Sequence, residues 1–202
     1  MSFRIDVLKL RVTKKTRGFF SRFFKNKQNF KHFYGNLKES YLKRLFFKAV
    51  LIAKRRGVVN RNILGDIFVS FLERRLDVVL FRSGLVDSLK SARQVILHGH
   101  VCVNGLVVSS SGFILNKGDV VSFKDFVGLN TLVSESLSQR LGFFSESKNR
   151  EKMKKLGNLY PTNLFVDFDL LTIVLVKNFV SVSKLVFPFR LNMSDLLMFY
   201  KI

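Results

Sequence analysis

At 202 residues, with 48% hydrophobic residues and 23 Phe, the chain has room and material for one compact domain or two small ones, which excludes wholesale disorder. Its formal net charge of +21 requires a polyanion for neutralisation, either nucleic acid or an anionic membrane surface. The single cysteine, Cys102, excludes an internal disulfide framework and an all-cysteine zinc site, and no run reaches the ~18 apolar residues of a membrane span.

The charge is concentrated early. Residues 1–61 hold 18 Lys or Arg against the 2 acids Asp6 and Glu39, a net of +16, whereas the remainder carries 17 bases and 12 acids, a net of +5. Residues 1–32 alternate bases with Phe pairs, as in "GFFSRFFKNKQNFK", without a clean period. They are expected to form a basic, extended or partly helical arm whose aromatics pack on RNA or on the body of the protein. The first twenty residues are Arg/Lys-rich, as import peptides are, but they lack amphipathic Ser/Ala character and contain Asp6, so no cleavage is expected. High Phe, Lys, Asn and Ile content suits an AT-rich organellar coding sequence.

Asn36 is expected to cap a helix, with Glu39 three residues on closing a capping box. Leu37, Tyr41, Leu45, Ala49 and Ile52 then form one apolar face, while Lys38, Lys48 and Arg55 lie off it. Arg55 and Arg56 suit the last turn, and Gly57 the stop. A second helix is expected from Ser70, capped with Glu73, burying Leu72, Leu76, Val79 and Leu80 and ending at Gly84. A third runs from Ser88 to His98 with Leu89, Ala92 and Ile96 inward, Lys90, Arg93 and Gln94 outward, and Gly99 as its stop.

The period then changes. "HVCVNGLVV" reads as a hairpin turning on Asn104-Gly105, the strongest short-range hairpin signal. "SGFIL", "NKGD" and "VVSF" follow as strand, turn and strand, with Gly118 able to take positive φ. Beyond Phe126 the chain is polar and helix-like through "SESKNREKMKKLG" and then rich in β-branched residues and Phe from Leu164 to Phe189. Within that stretch "LLTIVLV" reads as a buried strand, and "LNMSDLLMFYKI" as an apolar tail that docks onto the body.

His98, His100 and Cys102 fall at alternate positions, but His98 sits at a helix end and no fourth ligand is near, so Cys102 reads as a small core residue and no metal or cofactor is expected. Asp167 and Asp169 read as strand-edge charges or partners of the many bases rather than as a catalytic pair. There is no Gly-rich phosphate loop, no Ser-His-Asp order and no metalloprotease motif, so the chain does not read as an enzyme.

The stretches "LERRLDVVLFRSG" (Leu72–Gly84), "SLKSARQVILHGHVCVNG" (Ser88–Gly105) and "NKGDVV" (Asn116–Val121) closely resemble the S-four RNA-binding domain. "FYGNLKESYLKRLFFKA" (Phe33–Ala49), "PTNLFVD" (Pro161–Asp167) and the ending "RLNMSDLLMFYKI" extend the likeness, in order, to the small-subunit ribosomal protein S-four family. Departures from that pattern are residues 1–32, the absent cysteine knuckle, Ser91 where the family usually has Glu, Lys117 for Pro in the turn before Asp119, and Met198 for a usual Glu. The resemblance implies an α+β fold: a discontinuous helical body of N- and C-terminal parts, with an inserted S-four domain of two short helices on a small antiparallel sheet. The corresponding segments are an arm at 1–32, body at 33–72, the S-four domain at 73–126 and body again at 127–202. It further implies a mitochondrial ribosomal protein rather than a plastid one, binding small-subunit rRNA early in assembly, beside ribosomal protein S-five and the side where mRNA enters.

Arginine forks take phosphate oxygens in pairs, and folded RNA is read largely by shape, so a rigid cationic module suits it. The expected RNA contacts are Arg75, Arg82, Lys90, Arg93 and His98 in the module, and Lys43, Arg44, Lys48, Arg55 and Arg56 in the body. For Arg75 the bland alternative is specific: Asp77 or Glu73 holds it as an internal pair. Two other functions compete. One is an RNA-modifying or RNA-chaperone protein that uses the module to capture its substrate, and the other is a membrane-surface protein using the basic and Phe-rich residues 14–31.

Overall fold

The computed structural model describes residues 19–57, 60–86, 88–124, 163–167, 170–177 and 191–200, with 182, 185, 187 and 189 between the last two stretches. The chain divides into two compact units, Met1–Val69 with Ser181–Ile202, and Ser70–Val180. The first is discontinuous in sequence and the second is inserted into it.

In the first unit the chain from Phe19 to Phe33 is a helix, α1, so this part of the expected arm is a packed element. The part before Phe19 lies outside the described residues. Phe30 is wholly buried, edge-on to Tyr34 and stacked on Phe68 at 6.0 Å between ring centroids. The helix stops because Gly35 and Asn36 both turn left-handed, at φ 69° and 59°. The Asn36 amide donates to the Lys31 carbonyl at 2.8 Å and the Gly35 amide to His32 at 3.0 Å, the paired bonds of a Schellman motif. Asn36 therefore ends α1 rather than opening the next helix.

That helix, α2, spans Glu39–Arg55 behind Lys38, which makes no side-chain cap bond. Glu39 does not close a capping box; its carboxylate pairs with Lys27 at 2.9 Å. The buried stripe is Leu42, Leu45, Phe46, Ala49 and Ala53, one step round from the expected face, leaving Tyr41 and Ile52 half-buried. A third helix, α3, runs over Arg61–Glu73. Sequence reasoning placed no helix between Gly57 and Ser70, although Asn60 offers a starting signal: its Oδ1 accepts from the Asn62 amide at 3.1 Å. Because α3 is already formed there, Ser70 is an interior residue and not a cap. The C-terminal segment, Met193–Tyr200, is the last helix and docks as expected through Leu196, Leu197 and Tyr200. Phe46, Phe68 and Tyr200 meet at centroid distances of 5.8 to 6.0 Å and close this core. Burial and the nearby Glu39 carboxylate push the Tyr200 phenol well above its ordinary range.

In the second unit two short helices, α4 (Leu76–Arg82) and α5 (Leu89–Leu97), lie against a five-stranded antiparallel sheet. Its strands are β1 (Val101–Val103), β2 (Leu106–Val107), β3 (Val120–Phe123), β4 (Leu164–Asp167) and β5 (Thr172–Leu175), in the order β2-β1-β3-β5-β4. Ser88 caps α5, its hydroxyl accepting from the Ser91 amide at 3.1 Å. The β1–β2 hairpin turns on Asn104 and Gly105, both at positive φ, the geometry of a type I′ turn. "SGFIL" contributes only a single bridge, Ile114 to Arg75, instead of a full strand. The β4–β5 hairpin pairs with β3 through Val120–Val174 and Val121–Ile173. Leu164–Asp167 and Thr172–Leu175 thus extend the inserted module's sheet, where sequence reasoning had placed them in the body.

Alternation directs Val101, Val103, Val121, Phe123, Ile173 and Leu175 to one face of the sheet. There they join Leu76, Val79, Leu80, Leu85, Ala92 and Ile96 in a single core. With that core filled by branched aliphatics, α4 and α5 are held as rigid elements.

Candidate nucleic-acid interface

α3 and α4 are separated by a break at Arg74–Arg75, and the segment 111–116 fixes its shape. Leu115 donates its amide to the Arg74 carbonyl at 2.9 Å, and Leu76 donates to the Phe113 carbonyl at 2.9 Å. Arg74 returns Nε to the Leu115 carbonyl at 2.7 Å and an η nitrogen to Asn116 Oδ1 at 2.6 Å. Burial lowers the Arg74 guanidinium below its ordinary range, and the Asp119 carboxylate offsets part of this.

Just past the break, three arginines meet two buried carboxylates. Arg75 donates through Nε and an η nitrogen to the two oxygens of Asp77, at 3.0 and 2.9 Å. Arg93, arriving from α5, donates Nε to the same Asp77 at 2.8 Å. Arg82 forks onto Glu73 at 3.2 and 3.1 Å. The carboxylates are almost fully enclosed, so these pairs act in a low-dielectric setting where removing one member is costly.

This arrangement corrects the surface role expected for two of the arginines. Arg75 is 3% exposed and its internal pairing with Asp77 is the alternative realised. Arg82 is turned inward on Glu73, so its charge is matched within the module. Arg93 differs. Asp77 faces two guanidinium groups, and Arg93 is the more exposed of them at 27% of the side chain. On the same surface Lys90, Gln94 and His98 are exposed along and just past α5.

In the body, Lys43, Arg44, Lys48, Arg55 and Arg56 are all exposed on α2 and its C-terminal cap. At 100° per residue, Lys43, Arg44, Lys48 and Arg55 fall within one ~140° sector, opposite the buried stripe. Lys54 shares that sector and was missed by sequence reasoning; its spacing of eleven residues from Lys43, close to three turns, was the available signal. The helix dipole places its negative end beside Arg55 and Arg56, which favours cations there.

The His98 and His100 rings lie 6.3 Å apart and Cys102 is buried in β1. Among the described residues no group of three His, Cys, Asp or Glu side chains is arranged to hold a metal, and no helix is long and apolar enough to cross a membrane. Asp167 closes the β4–β5 turn by accepting from the Leu170 amide at 3.2 Å, while Asp169 lies outside the described residues.

Residues 74–121 match the S4 domain family, a span that contains the Arg75–Asp77–Arg93 cluster, α4, α5, strands β1 and β2 and the first two residues of β3. The chain is 44% identical over 101 residues to "Small ribosomal subunit protein uS4" of Halothermothrix orenii, covering 50% of this chain and 44% of that protein. With the protein of the same name from Chlorobium limicola it shares 37% identity over 115 residues, 57% of this chain and 52% of the relative. "Small ribosomal subunit protein uS4m" of Reclinomonas americana is 27% identical over 176 residues, which is 87% of this chain and 63% of that protein. The chain thus spans about half the length of the first two relatives.

Proposed function

Because the chain belongs to the uS4 family of small ribosomal subunit proteins, we propose that it is a structural, non-enzymatic rRNA-binding protein of a small ribosomal subunit. It binds folded rRNA through the S4 domain and the basic face of α2. The observation that carries this reading is the partition of charge. Glu73 and Asp77 hold Arg82 and Arg75 inside, with Arg93 on Asp77 only partly exposed, whereas Lys90 and His98 in the domain and Lys43, Arg44, Lys48, Arg55 and Arg56 in the body are exposed along helices or at their ends. Rigid cationic surfaces suit recognition of RNA by shape and phosphate position.

The finer reading is a mitochondrial ribosome, supported by the 87% span of this chain matched to uS4m and by the Phe-rich composition. In it the protein joins rRNA early in assembly, beside an S-five-like neighbour and the side where mRNA enters. Sedimentation of the tagged, full-length chain through a sucrose gradient tests the proposal. Co-migration with small subunits is expected, and migration away from them would end it.

A further inference from the structure

We propose that Phe47, on the outer face of α2, is a stacking platform for an unpaired RNA base, a reading that rests on the rRNA-binding function proposed above and specifies what one part of that surface takes. Phe47 and Leu51 are 58% and 59% exposed, the two large apolar side chains that α2 leaves in solvent. Four residues apart, they are neighbours one turn above another. Phe47 is braced from beneath by the buried Phe46, edge-on at 6.1 Å between centroids. Helical spacing sets the exposed Lys43 and Lys54 on one side of the pair and the exposed Arg44 and Arg55 on the other, each couple separated by roughly 16 Å along the axis.

The charge pattern decides the occupant. Two rows of cations flanking an apolar strip match a strand whose phosphates run at the edges and whose base lies between. A double helix laid on the same face would set hydrated phosphates against Phe47 and Leu51, with no apolar surface to cover them. A splayed base has a flat π face that covers the ring and is tolerated whatever its identity. An anionic vesicle or an acidic protein segment satisfies the cations but does not require an aromatic ring at the centre. We therefore assign the strip to single-stranded or bulged RNA.

The test measures binding of the full-length chain by fluorescence anisotropy to a labelled single-stranded RNA of about 12 nucleotides and to a duplex of the same length. Phe47 is largely exposed, so Phe47→Ala keeps the fold, which circular dichroism checks. The expected result is about tenfold weaker binding of the single strand by Phe47→Ala with an unchanged salt slope, little change for the duplex, and near-full affinity in Phe47→Tyr. Unchanged single-strand affinity in Phe47→Ala, or equal loss for strand and duplex, overturns the inference, the first outcome leaving the apolar pair to a protein partner. Wild-type chain that binds the duplex but not the single strand overturns it while leaving rRNA binding intact. Wild-type chain that binds neither removes both readings.

Discussion

Arg93 and Asp77 meet through one 2.8 Å bond, Nε to Oδ2, that ties α5 to the first turn of α4. Asp77 is wholly enclosed and also holds both donors of the Arg75 fork, while its Oδ1 accepts the Val78 amide at 3.0 Å, so a single carboxylate fixes the entrance of one helix and the flank of the next. Asp77→Ala would remove the carboxylate that accepts both bonds of the buried Arg75 fork. A loss of about 3–5 kcal/mol in unfolding free energy is expected, measured by urea denaturation. A loss below ~1 kcal/mol would mean that the cluster is not what holds α4 and α5 together.

The partition of arginines predicts two distinct responses to mutation. Arg82→Ala should lower stability by about 3 kcal/mol, because the buried Glu73 loses the Arg82 fork, and should leave the salt dependence of binding to a small-subunit rRNA transcript unchanged. Lys43→Ala with Arg55→Ala should do the opposite, keeping stability within about 0.5 kcal/mol while flattening the plot of log affinity against log salt by about two units. A flattened slope in Arg82→Ala, with no stability loss, would return Arg82 to the interface.

The hairpin tip carries a third expectation. Asn104 sits at φ 52° and its amide side chain bridges to the neighbouring strand and turn: Oδ1 accepts the Val120 amide at 2.9 Å and Nδ2 donates to Asp119 at 3.0 Å. Asn104→Ala loses those bonds and strains the left-handed backbone, so about 2 kcal/mol of destabilisation is expected. At Gly105, φ 82°, an added Cβ meets nothing within 4 Å, so Gly105→Ala should cost only the left-handed backbone strain of about 1 kcal/mol. Thermal unfolding ranks the two, and a larger shift for Gly105→Ala would contradict the bridging role of Asn104.

What could be read in advance was local. The Asn104-Gly105 turn and the start of a helix at Ser88 each declare themselves within a few residues and are present, and Leu72, Leu76, Val79 and Leu80 are buried as expected, though on two helices instead of one. Misreadings arose where a local signal met a distant partner. Ser70 and Glu73 match a capping box, yet α3 starts at Arg61 and the helix breaks instead at Arg75, where Ile114 bridges to it from 39 positions away. Asn36 and Glu39 match one too, but Asn36 follows Gly35 into left-handed φ and Glu39 answers to Lys27 on another helix. Arg75 and Arg82 looked like surface cations because their side of α4 cannot be told from spacing alone. Asp77 was visible as a neighbour of Arg75, but the arrival of Arg93 at the same carboxylate depends on how α5 packs. The docking of β4–β5 onto β3 is likewise set by pairing between residues more than fifty positions apart, Val120 with Val174 and Val121 with Ile173.

Gly65 offers the last prediction, since nothing in its sequence context marked it as a contact. A Cβ there would lie 2.7 Å from Cγ of Met193, the first residue of the C-terminal helix, so the glycine lets that helix approach α3. In an exposed helix interior Gly→Ala is stabilising by about 1 kcal/mol, through propensity alone. Here the sign should reverse, because Met193 must shift and pull Leu197 with it, and overpacking of this kind costs about 1–3 kcal/mol. Met193→Ala removes the obstructing atoms, so combining it with Gly65→Ala should recover the propensity gain, making the double variant more stable than the sum of the singles predicts. A double-mutant cycle by urea denaturation measures this. Strict additivity would mean that Gly65 and Met193 are not coupled.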